Sequence, residues 1–230
     1  MQPYFFPYLG YFQLLGVADT FVFYDDVQFI QRGYIHRNRT EQGAFTIPLA
    51  AAGRDTLIRD RLIARGQFPK FQRKWLRGLA QTYGKAPHYA TVARVLEDVL
   101  SSPTASVSDL ACTSVRAVAD VLGLTMDFKM ASALDYDRTL AGQDRMLSLL
   151  NALAAKDYLN AAGGQDLYDP ARFAATGIGL HFLQPALDSV PCHGPATHSI
   201  LHLLAHHPPG LIREWLAEHR TIFTPQHNAS

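Results

Sequence analysis

The sequence predicts an α/β protein: a mainly parallel, Rossmann-like sheet flanked by helices, with a short hairpin insertion near the N-terminus and helices at the C-terminal end. Three observations predict it. Thr20-Phe21-Val22-Phe23-Tyr24 is a β-branched and aromatic run that stops at Asp25-Asp26, as a buried strand does. Short apolar runs then alternate with amphipathic stretches through the C-terminal half, the pattern of strands joined by crossover helices. Tyr34–Arg39 and Ala44–Leu49 read as two extended segments turning at Gln42-Gly43.

The elements follow in order. A short helix is expected over Gly10–Gly16, before the first strand. After the hairpin come helices near Pro69–Tyr83, Tyr89–Leu100 and Val107–Leu122, the last with Ser106 or Ser108 to cap it and Gly123 to end it. Phe128–Ala131 is a second strand. Gln143–Ala155 carries Met146, Leu149, Leu150 and Leu153 at helical spacing. Tyr158–Asn160 and Ile178–Leu183 are further strands, and Ser199–Ala205 and Leu211–Glu218 are closing helices. Ser101-Ser102-Pro103 reads as a loop and Pro225–Ser230 as a frayed tail. No repeat or linker divides the chain, so a single domain over residues 1–230 is expected.

Composition narrows the function classes. Lys and Arg total 21 against 20 Asp and Glu, a formal net charge of +1. That gives no field to attract nucleic acid or an anionic membrane. No apolar run is long enough to span a bilayer, and the aromatic start is unlike a signal peptide. The two cysteines, Cys112 and Cys192, form no thiolate zinc motif and suit a reducing, cytoplasmic setting. The expected partner is therefore a small molecule, anionic or sugar-linked. No residue pattern names a cofactor.

Two stretches near the N-terminus concentrate the chemistry. In Met1–Phe12, Pro3, Pro7 and Gly10 punctuate six aromatic rings and Gln2. Either this is a rigid loop whose rings, Tyr4 and Tyr8 among them, wall a pocket, with Gly10 admitting a ligand, or it is an aromatic plug at one end of the sheet. Then come Asp25, Asp26 and Gln28, followed by Arg32, Tyr34, His36, Asn38 and Arg39. Paired carboxylates at a strand end can orient or deprotonate an amine, and His36 is an alternative proton carrier near neutral pH. Strand alternation puts His36 and Asn38 on one face and Arg37 and Arg39 on the other. Arginine suits carboxylate or phosphate, so Arg32, Arg37 and Arg39 gathered on Asp25 and Asp26 would make an anion site. The alternative is a set of surface salt bridges.

Further along, Gly142-Gln143-Asp144-Arg145 opens a helix whose free N–H groups suit an anion, though Asp144 alone also favours a first turn. Asn160 to Gln165, with Gly163 and Gly164, looks like a phosphate loop but matches neither nucleotide-binding spacing; a turn needing positive φ explains it equally. Asn160 and Asp25 both follow strands and should share one rim, with Tyr168 in reach. His193, His198, His202, His206 and His207 lack an HExxH pattern and stand before Pro208-Pro209. They are assigned structural or capping roles, and no metal site is expected.

The run from Met1 to Phe12, then Ala18 to Phe29, then Arg32 to Arg39, strongly resembles the WbqC-like family. The resemblance returns at Lys85-Ala86-Pro87, Gly142–Arg145, Tyr158–Asn160, Gly163-Gly164 and Leu167-Tyr168, and so spans almost the whole chain. Family members usually carry a few apolar strand residues before the Gln-Pro motif, whose methionine here is Met1. The resemblance implies a role in surface-polysaccharide biosynthesis: a transferase or ligase joining an amino acid to an amino sugar through an amide. In that role Asp25, Asp26 and His36 would handle protons. Gln2, Tyr4, Tyr8, Gln28, Arg32, Tyr34, Asn38, Arg39, Gln143, Asn160, Gly163, Gly164 and Tyr168 would hold substrate. A non-catalytic nucleotide or nucleotide-sugar binding module is the alternative. The N-terminal layout also resembles that of nucleotidylyltransferases, but Tyr8-Leu9-Gly10-Tyr11 lacks their histidine signature.

Overall fold

The computed structural model describes residues 1–101 and 104–223. The reading of Pro225–Ser230 as a tail, and of Ser102-Pro103 as loop, falls outside them.

After the N-terminal loop comes α1 (Leu9–Val17), then β1 (Thr20–Phe23). β1 runs parallel to β4 (Asp127–Met130), with Thr20 opposite Asp127 and Phe23 opposite Met130. On β1, the Met1 amino group donates to the Val22 carbonyl (2.9 Å) and the Tyr24 N–H to the Met1 carbonyl (2.7 Å). That alternation is the bonding of a parallel ladder. β2 (Arg37–Thr40) and β3 (Gly43–Thr46) form the expected hairpin, and Gly43, at φ +117, takes the conformation its turn requires. β5 (Asp157–Ala161) is parallel to β6 (Gly179–Pro185), and β6 is antiparallel to β7 (His219–Phe223).

The chain is thus mixed α/β, with small parallel pairs flanked by helices. Among the described residues the strands form three separate small sheets, not the one mainly parallel, Rossmann-like sheet expected. The segment between β1 and β4 shows why. It contains the hairpin and three long helices, α2 (Phe68–Tyr83), α3 (Tyr89–Ser101) and α4 (Val107–Val121). These build a helical core of their own with α7 (Ile200–His206) and the N-terminal loop, instead of lying across a broad sheet.

Each helix follows from its residues. In α2, Trp75, Leu79 and Tyr83 recur every four positions and are buried, while Lys70, Arg73, Lys74 and Arg77 occupy other faces. In α4, Ser106 caps the first turn as expected. Its hydroxyl accepts from the Ser108 and Asp109 N–H groups at 3.1 and 3.4 Å, and donates to the Arg59 carbonyl at 3.1 Å. Gly123, at φ +68, follows the last turn. α5 (Gly142–Ala152) stops three residues early because Ala154 turns to φ +50.

Two elements were not read from the sequence. α6 (Pro170–Ala175) is six residues long, capped by Asp169, and too short for periodicity to reveal. β7 lies beyond α8 (Pro209–Trp215), which ends three residues before the expected Glu218, and pairs with β6. No helix of the described residues is long and apolar enough to cross a membrane.

Ser106→Ala should cost about 1 kcal/mol, the typical worth of a serine N-cap. In urea unfolding, the midpoint should fall with an unchanged slope.

Candidate functional site

Past the end of β1, Asp25 and Asp26 turn inward and are only 1% and 2% exposed. Asp25 accepts from the Ser132 N–H (2.9 Å) and hydroxyl (2.7 Å). Asp26 accepts from the Tyr136 hydroxyl (2.8 Å) and Arg138 Nε (2.9 Å), and pairs with Arg145 at 3.2 Å. Arg145 also donates to the Asp26 carbonyl (2.8 Å) and to the Tyr136 hydroxyl. Arg138 donates to the Ala131 and Ser132 carbonyls (3.1 and 3.2 Å) as well. The two carboxylates therefore organise the chain from Ala131 to Arg145. Both guanidinium groups pair with Asp26, while the buried Asp25 is satisfied by the two Ser132 donors; a buried carboxylate needs such partners.

The arginines expected there are elsewhere. Arg32 and Arg39 are exposed and form no ion pair among the described residues. Arg37 lies 5.2 Å from the centre of the Tyr34 ring and donates to the Arg32 carbonyl. The expected gathering of Arg32, Arg37 and Arg39 on Asp25 and Asp26 is not found; Arg138 and Arg145 take Asp26 instead. Strand alternation is the cause. His36 and Asn38 do share one face, and that face is buried, which turns Arg37 and Arg39 the other way.

The N-terminal loop is an aromatic plug where its centre is concerned: Phe5 and Phe6 are wholly buried, packed on Trp75. Phe6 stands at φ +46, a left-handed conformation unusual for a bulky residue. Three side chains hold its peptide groups. Its N–H donates to Ser114 Oγ (2.9 Å), and its carbonyl accepts from Asn38 Nδ2 (2.6 Å) and Ser199 Oγ (2.8 Å). Tyr4 and Tyr8 are half-buried, Tyr4 resting edge-on against Tyr11. Gly10 admits protein instead of ligand, since a Cβ there would stand 2.5 Å from the Tyr8 ring and 3.0 Å from Pro185. The Gln2 carbonyl accepts from the Tyr11 hydroxyl (3.0 Å), and the exposed Gln28 donates to the Arg54 carbonyl (2.9 Å).

Burial, with Arg37 and Arg61 next, lowers His36 to about 4, far from the near-neutral value a proton carrier needs. Its ring packs on Phe29, and its Nδ1 has no hydrogen-bond partner among the described residues.

The convergence of distant segments is clearest around Tyr24. Arg145 lies 5.6 Å from its ring centre, and Tyr24 feels Tyr158 and Tyr168 electrostatically. The Tyr158 and Tyr168 hydroxyls are 3.0 Å apart, and Asn160 Nδ2 donates to Tyr168 at 3.4 Å. Burial pushes the Tyr24, Tyr136 and Tyr158 phenols up, so they act as neutral hydrogen-bonding groups. Gln143 Oε1 accepts from the Asp169 N–H (2.9 Å), tying the start of α5 to α6. Gly163 and Gly164 lie in a 3-10 turn over Ala162–Leu167 and neither has positive φ. Gly164 instead lets Asn160 approach, because a Cβ would stand 2.9 Å from Asn160 Nδ2. An open groove between α2 and α3, lined by Leu76, Tyr89, Leu96 and Leu100, contains none of these residues.

Sequence reading missed Ser132, Tyr136 and Arg138, which lie in what looked like featureless loop. The one available signal was arithmetic: buried carboxylates need cations, and Asp135-Tyr136-Asp137-Arg138 holds one close to the helix bearing Arg145.

Asp26→Ala should cost about 3 kcal/mol in urea unfolding, since it strands two guanidinium groups that its carboxylate now pairs. A second expectation concerns pH. His36 binds its proton in the unfolded chain at an ordinary value of 6.5 but in the folded chain only at about 4. The unfolded chain holds more protons across that window, so stability falls as pH drops from about 6.5 to about 4, by about 3 kcal/mol. His36→Phe should flatten that limb of the stability curve.

Comparison with known proteins bears on identity. The chain is 30% identical over 184 residues to the uncharacterized protein Rv1507c of Mycobacterium tuberculosis, covering 77% of this chain and 78% of that one. No solved structure matches. The model of the WbqC-like protein family matches residues 2–207, which include β1, the Asp25–Arg145 cluster, Asn160 and Tyr168, and the chain belongs to that family.

Proposed function

We propose that the chain is a transferase or ligase acting on an amine of a small, sugar-linked substrate, an amide-forming amino-acid transfer, at the rim formed by Tyr24, Arg145, Tyr158, Asn160 and Tyr168. One observation carries the reading. Arg145 lies over the Tyr24 ring, Tyr168 bonds Tyr158 and Asn160, and the two groups pack against the same Met146 side chain from neighbouring apolar clusters. Neutral phenols and a carboxamide are hydrogen-bonding partners for sugar hydroxyls, and a guanidinium suits a phosphate or carboxylate. In this reading Asp25 and Asp26 position the site instead of touching the amine, because both are buried and bonded. The family resemblance supplies the reaction class, and the location is cytoplasmic in this reading.

The second reading, a non-catalytic nucleotide or nucleotide-sugar binding module, is favoured by the same engagement of Asp25 and Asp26 and by the low value of His36. One experiment separates the two. A thermal-shift screen with nucleotides, nucleotide-sugars and amino acids should show stabilisation by a nucleotide-sugar. Tyr168→Phe and Asn160→Ala should each weaken it about fivefold, the worth of one hydrogen bond. Mass spectrometry of the mixture with ATP should then show the amide product. Binding without product leaves the module reading, and no shift from any sugar-linked ligand defeats both.

A further inference from the structure

The histidines near the C-terminal end gather with an acidic residue from the hairpin turn. His202 and His206 lie one turn apart on α7. The loop before α7 brings in His193, whose ring centre is 4.2 Å from that of His206. The turn between β2 and β3 brings in Glu41, whose Oε2 is 3.8 Å from His206 Nε2. One donor atom from each of Glu41, His193 and His206 lies within 4.8 Å of the other two. His206 Nε2 is shielded from solvent and has no hydrogen-bond partner among the described residues.

We propose that Glu41, His193 and His206 form a binding site for a divalent transition metal such as zinc, with one coordination position open to solvent. Two ligand atoms on a tetrahedral zinc, each about 2.0–2.1 Å from the ion, stand about 3.4 Å apart. The Glu41–His206 separation of 3.8 Å therefore needs to close by only a few tenths of an ångström, and no pair of donors by more than about 1.4 Å, within reach of side-chain rotation of the exposed Glu41 and His193. Imidazole pairs with zinc, copper, iron or nickel, whereas magnesium and calcium take oxygen ligands. The exposed Glu41 and His193 leave the outer side of the site to water.

The surroundings are built as metal sites are, with the ligands' own backbones held in place. His202 Nε2 lies 2.6 Å from the His193 carbonyl. A carbonyl only accepts, so Nε2 carries the proton. Nδ1 of the neutral ring then accepts from the buried Tyr83 hydroxyl at 3.1 Å. That hydroxyl in turn accepts from the Glu41 N–H at 2.9 Å. The His193 N–H donates to His207 Nε2 at 3.0 Å. A chain of four residues thus fixes both ligands that lie off the helix, and it uses no residue of the Tyr24 rim. His198, just before α7, lies edge-on to His202 and outside the donor set.

The test uses the full chain, free of any affinity tag and stripped with a chelator that is then removed. Titration calorimetry with zinc should show one ion per chain at micromolar affinity or tighter, and no binding of magnesium. Glu41→Gln, His193→Ala and His206→Ala should each weaken zinc at least tenfold. Glu41 and His193 are exposed, so those variants should fold as the parent does, which circular dichroism checks. Cys192→Ser should bind like the parent. Absence of saturable zinc binding, binding that survives all three ligand substitutions, or loss only in Cys192→Ser would overturn the proposal.

Discussion

The peptide groups on either side of Phe6 tie the molecule together. A bulky residue with positive φ is strained, and it persists only where its surroundings over-determine it. Here they do so from three directions. Ser114 comes from α4, Asn38 from β2 and Ser199 from the start of α7. The N-terminal loop, the hairpin and two core helices are thereby registered on one buried point, and the Phe5 and Phe6 rings fill the space between them. Because α7 is set by this clamp, so are the residues that precede and follow it, including the histidines.

Much of the fold was legible because local patterns were strong. Trp75, Leu79 and Tyr83 mark one face of α2, and Ser106 and Gly123 bracket α4 at both ends. Alternation placed His36 and Asn38 together without any structure. Sheet organisation was less legible. Short apolar runs announce strands but not their neighbours, and the parallel pairs β1–β4 and β5–β6 join residues more than 100 and more than 20 positions apart, respectively. β7 went unseen because it opens on the polar His219-Arg220 and its partners on β6 lie more than 30 positions away.

The candidate site shows the same division. Residue types identified Asp25, Asp26, Asn160 and Tyr168 as unusual, and the fold places Tyr24, beside the carboxylates, and Tyr168 in apolar clusters that share Met146. What sequence distance hid was the identity of the cations. Arg32 and Arg39 stood close in the chain, but a strand that buries Asn38 must turn its neighbours outward. Arg138 and Arg145, more than a hundred residues on, take the charge. Proximity along a strand is a poor guide to ion pairing when the strand has a wet face and a dry one.

β7 has a consequence of a different kind. By pairing along Pro185 to His181, it covers one hydrogen-bonding edge of β6, so β6 is the middle strand of its sheet. β6 is the longest strand among the described residues and buries Leu180, Phe182 and Leu183. Left bare, such an edge is a template for strands of other chains, and neighbouring copies would add to it as readily as β7 does. The five residues from His219 to Phe223 therefore serve colloidal stability: a proteolytic cut just before them would leave the helical core intact and the protein adhesive.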